Sequence, residues 1–203
     1  MSAPPLRIRS FVALDLEGDA RPALEALLER LRARGGGVAW TRPEALHLTL
    51  KFLGNVEPER LARLGERLAQ VAATHPPFTL AVGGCGGFPT LDRPNVLWVA
   101  TPAPALAPLA AAVDEAAAAE GFERGTRPFH PHVTLGRIRQ RRPRRGELEP
   151  VVALLRGEGG TRLGVSPART LTLFRSDLGP TGARHSVLDA WPLHGGGEGG
   201  GGR

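Results

Sequence analysis

The ten residues TRPEALHLTL at 41–50 return as TRPFHPHVTL at 126–135, so the chain carries the pattern TRPxxxHxTL twice, 85 residues apart. Six of the ten positions are identical. Internal repetition on this scale means duplicated structural units, and each copy sits mid-way along one half of the 203-residue chain. Two related lobes within one domain, spanning residues 1–193, are the architecture this predicts. Strand side chains alternate between faces, which puts His47 and Thr49 on one side and Leu48, Leu50 and Phe52 on the other. His132 and Thr134 share a face by the same rule. The aliphatic side belongs to the core of each lobe. The two His and Thr pairs are then left pointing outward, and an approximate twofold axis sets them facing one another across a cleft.

Two imidazoles flanking one phosphorus form a chemically complete set. Each titrates near neutral pH, so one accepts a proton from water while the other protonates a departing ribose oxygen. The neighbouring threonine hydroxyls donate to phosphoryl oxygens as charge gathers there. A strained cyclic phosphodiester suits this machinery, because its leaving oxygen stays tethered and in-line placement is the main demand.

Around the repeats, strands and helices are interspersed. Residues 7–16 read as a strand, and Leu24, Leu27, Leu28 and Leu31 as the apolar stripe of a helix that ends at Gly35, Gly36 and Gly37. Short strands are expected at 38–41 and 47–53, and a helix from Pro58 carrying Leu61, Leu64, Leu68 and Val71. Strands at 78–82 and 96–100 flank a Gly- and Pro-containing stretch that reads as a long turn. Then come an Ala-rich helix at 106–120, a strand at 132–138, an Arg-rich loop, a short helix at 148–155 and closing strands at 168–175 and 185–193. The tail 194–203 is nearly all Gly and is expected to be disordered.

Composition excludes several functions. Hydrophobic residues at 41% and charged residues at 23% are globular values. No apolar run is long enough for a membrane span, and the opening MSAPPLRIRS lacks the apolar segment of a secretion signal, so a soluble cytoplasmic protein is expected. Cys85 is the sole cysteine and rules out an intrachain disulfide. Lys51 is the sole lysine, and no GxxxxGK[ST] loop is present, nor any GxSxG. No cofactor is expected. The net charge of +6 suits a polyanionic partner. His130 and His132 also form an HxH that, with His47, offers an alternative metal reading, which ranks below acid–base chemistry because no acidic or cysteine ligand accompanies it.

The two HxT motifs, His47-Leu48-Thr49 and His132-Val133-Thr134, resemble those of the 2H phosphoesterases. The phrases PEALHLTLKFLG, RPFHPHVTLGR and FRSDLGPTGARHSVL are similar to the bacterial and archaeal RNA 2',3'-cyclic phosphodiesterases, also called 2'-5' RNA ligases, and the likeness runs from residue 7 to 193. That resemblance implies a bilobal, pseudo-twofold α+β fold with two antiparallel sheets, helices outside and a central cleft. It implies hydrolysis of RNA 2',3'-cyclic phosphate ends to 2'-phosphomonoesters without a metal, and a reverse 2'-5' joining. It further implies His47 as the acid for the 3' oxygen, His132 as the base, Thr49 and Thr134 as phosphate holders, and Arg137 as a phosphate contact.

Arg137 is five positions beyond His132, so a regular strand aims it at the core; it reaches the cleft only where the strand bends or ends near Gly136. Trp40 and Phe129, which precede the motifs, are candidate stacking partners for RNA bases, although a place in the core is the first expectation for each because aromatics make up only 5% of the chain. Arg139, Arg141 and Arg142, in the basic run after the second motif, read either as a solvated loop or, from their place beside the cleft, as RNA backbone contacts. His185 is read either as lining the far end of the cleft or as a packed structural residue. One chain builds the whole cleft, so a monomer is expected. The competing reading is a nucleotide- or RNA-binding module that keeps the fold without turnover.

Overall fold

A computed structural model of the chain describes residues 6–139, 145–179 and 182–195. The elements run β1 (Ile8–Asp15), α1 (Ala20–Arg32), β2 (Val38–Trp40), β3 (His47–Val56), α2 (Pro58–Ala73), β4 (Phe78–Gly83), β5 (Cys85–Phe88), β6 (Val96–Ala100), α3 (Leu106–Ala119), β7 (His132–Ile138), α4 (Arg145–Gly157), β8 (Arg162–Ala168), β9 (Thr170–Gly179) and β10 (Gly182–Pro192). The 85-residue offset persists through the fold. Advancing β1, α1, β3, α2, β4 and β5 by that amount falls on β6, α3, β7, α4, β8 and β9.

The main sheet has the order β10-β9-β1-β3-β7-β6-β5, with β2 added on β7. All its pairings are antiparallel. Its two wings, β10-β9-β1-β3 and β7-β6-β5, correspond to the two antiparallel sheets expected, and they meet at one paired position, Leu48 with Val133. These residues are themselves repeat counterparts, so the pseudo-twofold axis passes between them. On the same axis β4 pairs with its own counterpart β8 in a separate two-stranded sheet.

The lobes are not simply the two halves of the chain, mid-way along which the two motifs lie. The wing of β1 and β3 is completed by β9 from the second repeat, and that of β6 and β7 by β5 from the first. The cause is local. After β4 the chain turns at Gly84, at φ +73°, a conformation natural to glycine. It then continues along β6 instead of returning to β1.

Two strands escaped the sequence reading. The first, β5, is CGGF, where glycines stand because a Cβ on Gly86 would lie 2.3 Å from the Trp98 ring packed across it. The second, β8, carries Gly164 and Pro167, which read as a loop.

The helices cover one face of the sheet. Their stripes recur at helical spacing: Leu24, Leu27, Leu28 and Leu31 in α1, and Leu61, Leu64, Leu68 and Ala72 in α2 are buried. The alanine side of α3, with Ala110, Ala116 and Ala117 buried, lets it lie close to α2. The two are tied where Arg60 Nε donates to the Glu120 carbonyl at 2.8 Å. Leu14, Leu48, Leu97, Val99, Val133 and Leu135 form the sheet side of the core and are fully buried. At the end of the chain, His194 N–H donates to the Ala72 carbonyl at 2.9 Å, and residues 196–203 of the expected tail lie outside the described residues.

Candidate active site

Each HxT motif is followed by a β-bulge. Val12 pairs with Lys51 and Ala13 with Thr49, leaving Leu50 as the extra residue of β3. Leu97 pairs with Gly136 and Trp98 with Thr134, leaving Leu135, the repeat counterpart of Leu50, as the extra residue of β7. An inserted residue reverses the alternation beyond it. Both leucines stay in the core, and the side chains two further on, Phe52 and Arg137, come to the face that bears the histidines. The bend that Arg137 requires is therefore supplied one residue before Gly136.

The Leu48–Val133 pair is antiparallel, so on its open side His47 stands across from Thr134, and Thr49 across from His132. His47 Nδ1 lies 2.8 Å from the carbonyl of Ala45, and His132 Nδ1 lies 2.6 Å from that of His130. Ala45 and His130 are repeat counterparts, and what they share is the main-chain oxygen. A carbonyl only accepts, so Nδ1 carries the proton in both rings and Nε2 is the nitrogen free for exchange. The Thr49 hydroxyl lies 3.0 Å from His47 Nε2 and donates to it in the neutral ring. The two rings are oriented by different packing. His47 stacks on Phe11 with centroids 4.6 Å apart, and Phe11 on Phe174 at 5.2 Å. His132 meets Phe88 edge-on at 5.1 Å, with Trp98 at 6.4 Å.

A cavity of about 530 Å³ opens on this face, and its wall includes His47, Thr49, Thr134, Arg137 and Trp40. His132 is not one of the wall residues; it stands on β7 across from Thr49, which is. Phe129 packs against the main core instead of lining the cavity. Arg139 is exposed at the end of β7, and Arg141 and Arg142 lie outside the described residues. The wall also holds residues that sequence reasoning passed over, among them Arg9, Phe11, Arg42 and Phe52. For Phe52 a signal existed, since it is the counterpart of Arg137. His185 joins the wall from β10, its ring edge-on to His47 at 5.1 Å, which settles it as a cavity residue.

Burial dominates the electrostatics. It draws His47 down to about 4, with His185 and His132 adding to the fall and the Ala45 hydrogen bond opposing it. His132 is lowered too, by burial first and then by the charges of His130 and Arg137, against its bond to the His130 carbonyl. Both rings are thus neutral near pH 7. Because both rings bind protons less readily folded than unfolded, unfolding takes up protons below the ordinary value of 6.5, for His47 down to about 4. Stability therefore rises with pH across that window and is lost on acidification through it. Urea unfolding at about pH 5 should show a lower midpoint than at about pH 7.5, and His47→Phe should flatten the difference.

Gly136 permits β2 to cross β7. A Cβ there would lie 2.7 Å from Val38 Cγ1 and 2.9 Å from Trp40 Cε3. Gly136→Ala should cost about 1 to 3 kcal/mol in urea unfolding through this overpacking, and should blunt any quenching of Trp40 fluorescence by a ligand in the cavity.

Two like halves that each bring a histidine and a threonine to a shared face define a duplicated 2H-type phosphoesterase domain. The model of the LigT like phosphoesterase family matches twice, over residues 14–98 and 99–183, and the chain belongs to that family. It is 35% identical to an RNA 2',3'-cyclic phosphodiesterase of Archaeoglobus fulgidus over 89% of this chain and 98% of that protein. It is 32% identical to the enzyme of the same name from Thermus thermophilus, over 93% and 91%. Among solved structures, a Thermus thermophilus protein superposes with TM-score 0.73 at 29% identity, covering 93% of this chain and 99% of that one. Escherichia coli LigT in complex with 3'-AMP gives 0.71 at 26%, covering 92% and 98%. No helix among the described residues is long and apolar enough to cross a membrane.

Proposed function

We propose that this chain hydrolyses the 2',3'-cyclic phosphate at the end of an RNA to a 2'-phosphomonoester, by proton transfer between two histidines and without a metal. The observation that carries the reading is the matched pair of imidazoles on adjacent strands, each anchored through Nδ1 to the carbonyl two residues earlier, with Nε2 left to exchange a proton. The relatives bear the name of this activity, and a nucleotide monophosphate is bound in crystals of LigT.

In the proposed step, His132 takes a proton from water as its oxygen attacks phosphorus. The bond from phosphorus to the 3' oxygen breaks, and protonated His47 gives its proton to that oxygen, leaving the phosphate on the 2' oxygen. Burial within the protein holds His47 neutral. The arriving anion offsets the desolvation that depresses it, so substrate brings its own acid into being. With Nε2 protonated, the Thr49 hydroxyl is released to donate to a phosphoryl oxygen, as Thr134 does from the facing strand, and Arg137 contributes positive charge. A 5'-hydroxyl in place of water gives a 2'-5' linkage by the same transfers. One chain supplies both histidines, so a monomer acting in the cytoplasm is the working unit.

The test is incubation with an oligoribonucleotide ending in 2',3'-cyclic phosphate in the presence of EDTA. Accumulation of the 2'-phosphate is expected. Binding without product would leave a non-catalytic RNA-binding module, and activity abolished by EDTA and restored by zinc would overturn the acid–base mechanism.

A further inference from the structure

We infer that the body of the RNA leaves the central cavity over Phe52 and lies as a single strand in a second groove on the other side of that ring. This rests on the reading of the central cavity as the site for an RNA end.

The groove exists because the two repeats differ at one element. In one wing β2 lies along β7, with Val38 opposite Ile138 and Trp40 opposite Gly136. The counterpart of β2, residues 123–125, takes no such place beside β3. It is drawn toward α3 instead. Lys51 Nζ donates to the Glu123 carbonyl at 2.5 Å and to Asp114, and Gly125 N–H donates to Asp114 Oδ1 at 3.1 Å. Where a strand would have lain there is an open groove of about 610 Å³, between the β3 edge at Phe52, Leu53 and Gly54 and the loop 121–127.

Phe52 belongs to the wall of both cavities, so the groove continues directly from the central one. Its ring is tilted against Phe11 at 5.9 Å and remains 57% exposed, open to both cavities. Arg60, Arg124 and Arg127 line the groove, against the single acid Glu123. The Arg60 guanidinium covers the Phe122 ring at 3.8 Å, and Arg124 forms an exposed pair with Glu115. An exposed aromatic face next to guanidinium groups is the chemistry that holds single-stranded nucleic acid, bases stacking on the ring and phosphates meeting the cations. The free β3 edge would also accept a peptide strand. The basic lining and the continuity with a site for RNA ends favour the nucleic acid.

The test compares a hexaribonucleotide with a single nucleoside 2',3'-cyclic phosphate, using the wild-type protein and an Arg124→Glu/Arg127→Glu double variant. Both side chains are exposed, and turnover of the single nucleoside reports that the variant is folded. The expected result is a fall of about tenfold in kcat/KM for the hexamer, carried by KM and accompanied by a weaker salt dependence, with the nucleoside substrate unchanged. A hexamer KM unmoved by the charge reversal would overturn the proposal and leave the β3 edge to a peptide. Equal losses on both substrates would also overturn it. If wild-type protein turned over neither substrate, the reading of the central cavity itself would fail, and this proposal with it.

Discussion

Replacing either His47 or His132 by alanine should lower kcat for cyclic-phosphate hydrolysis by about 10² to 10⁴ while leaving the fold intact. Survival of the fold follows from where the packing lies. Leu48, Leu50, Val133 and Leu135 carry the core side of these strands, and both imidazoles stand on the opposite face. Removing a ring frees one carbonyl, of Ala45 on the cavity wall or of the exposed His130, where water can reach it. The two losses should not add. Once one partner in the proton exchange is missing the other has little left to contribute, so the double variant should fall close to the worse single one. Steady-state kinetics alongside urea unfolding checks this. Collapse of the unfolding midpoint in the single variants would make the histidines structural.

Thr49→Val and Thr134→Val should each cost about 10² in kcat, with a smaller change in KM, because the hydroxyls meet phosphoryl charge that grows toward the transition state. Valine keeps the shape and the strand preference, so the loss isolates the donor. The two variants should part company in their pH profiles. The Thr49 hydroxyl donates to His47 Nε2 and so favours the neutral ring. Its removal should raise the pKa that His47 contributes to the kcat/KM profile, toward the ordinary histidine range. If both variants keep wild-type kcat, the threonines hold the strands and do not touch the reaction.

Much of the site could be read before any coordinates, because it depends on strand parity and a repeat. Parity alone set His47 with Thr49 and His132 with Thr134 on the outward face, and the repeat implied that the pairs meet. Parity also failed in an informative way at Arg137. Its arrival at the cavity depends on the extra residue Leu135, and the corresponding bulge at Leu50 brings Phe52 to the same face. A bulge has no side-chain signature in LTLK or VTLG. The exchange of β5 and β9 between the wings was equally hidden. It is decided by which strands pair, and CGGF looks like a turn because its glycines make room for the Trp98 ring. Phe129 shows the opposite limit. Its place before the motif matches Trp40 only loosely in sequence, and the structure commits it to the core.

The exchanged strands bear on how the molecule is made. Because β1 pairs on one side with β9, whose residues lie some 160 positions downstream, the first wing has an open edge until residues 171–175 have left the ribosome. Contacts so distant in sequence favour slow, late closure. A chain cut between the repeats should therefore yield two pieces that stay incomplete apart and regain structure only when mixed.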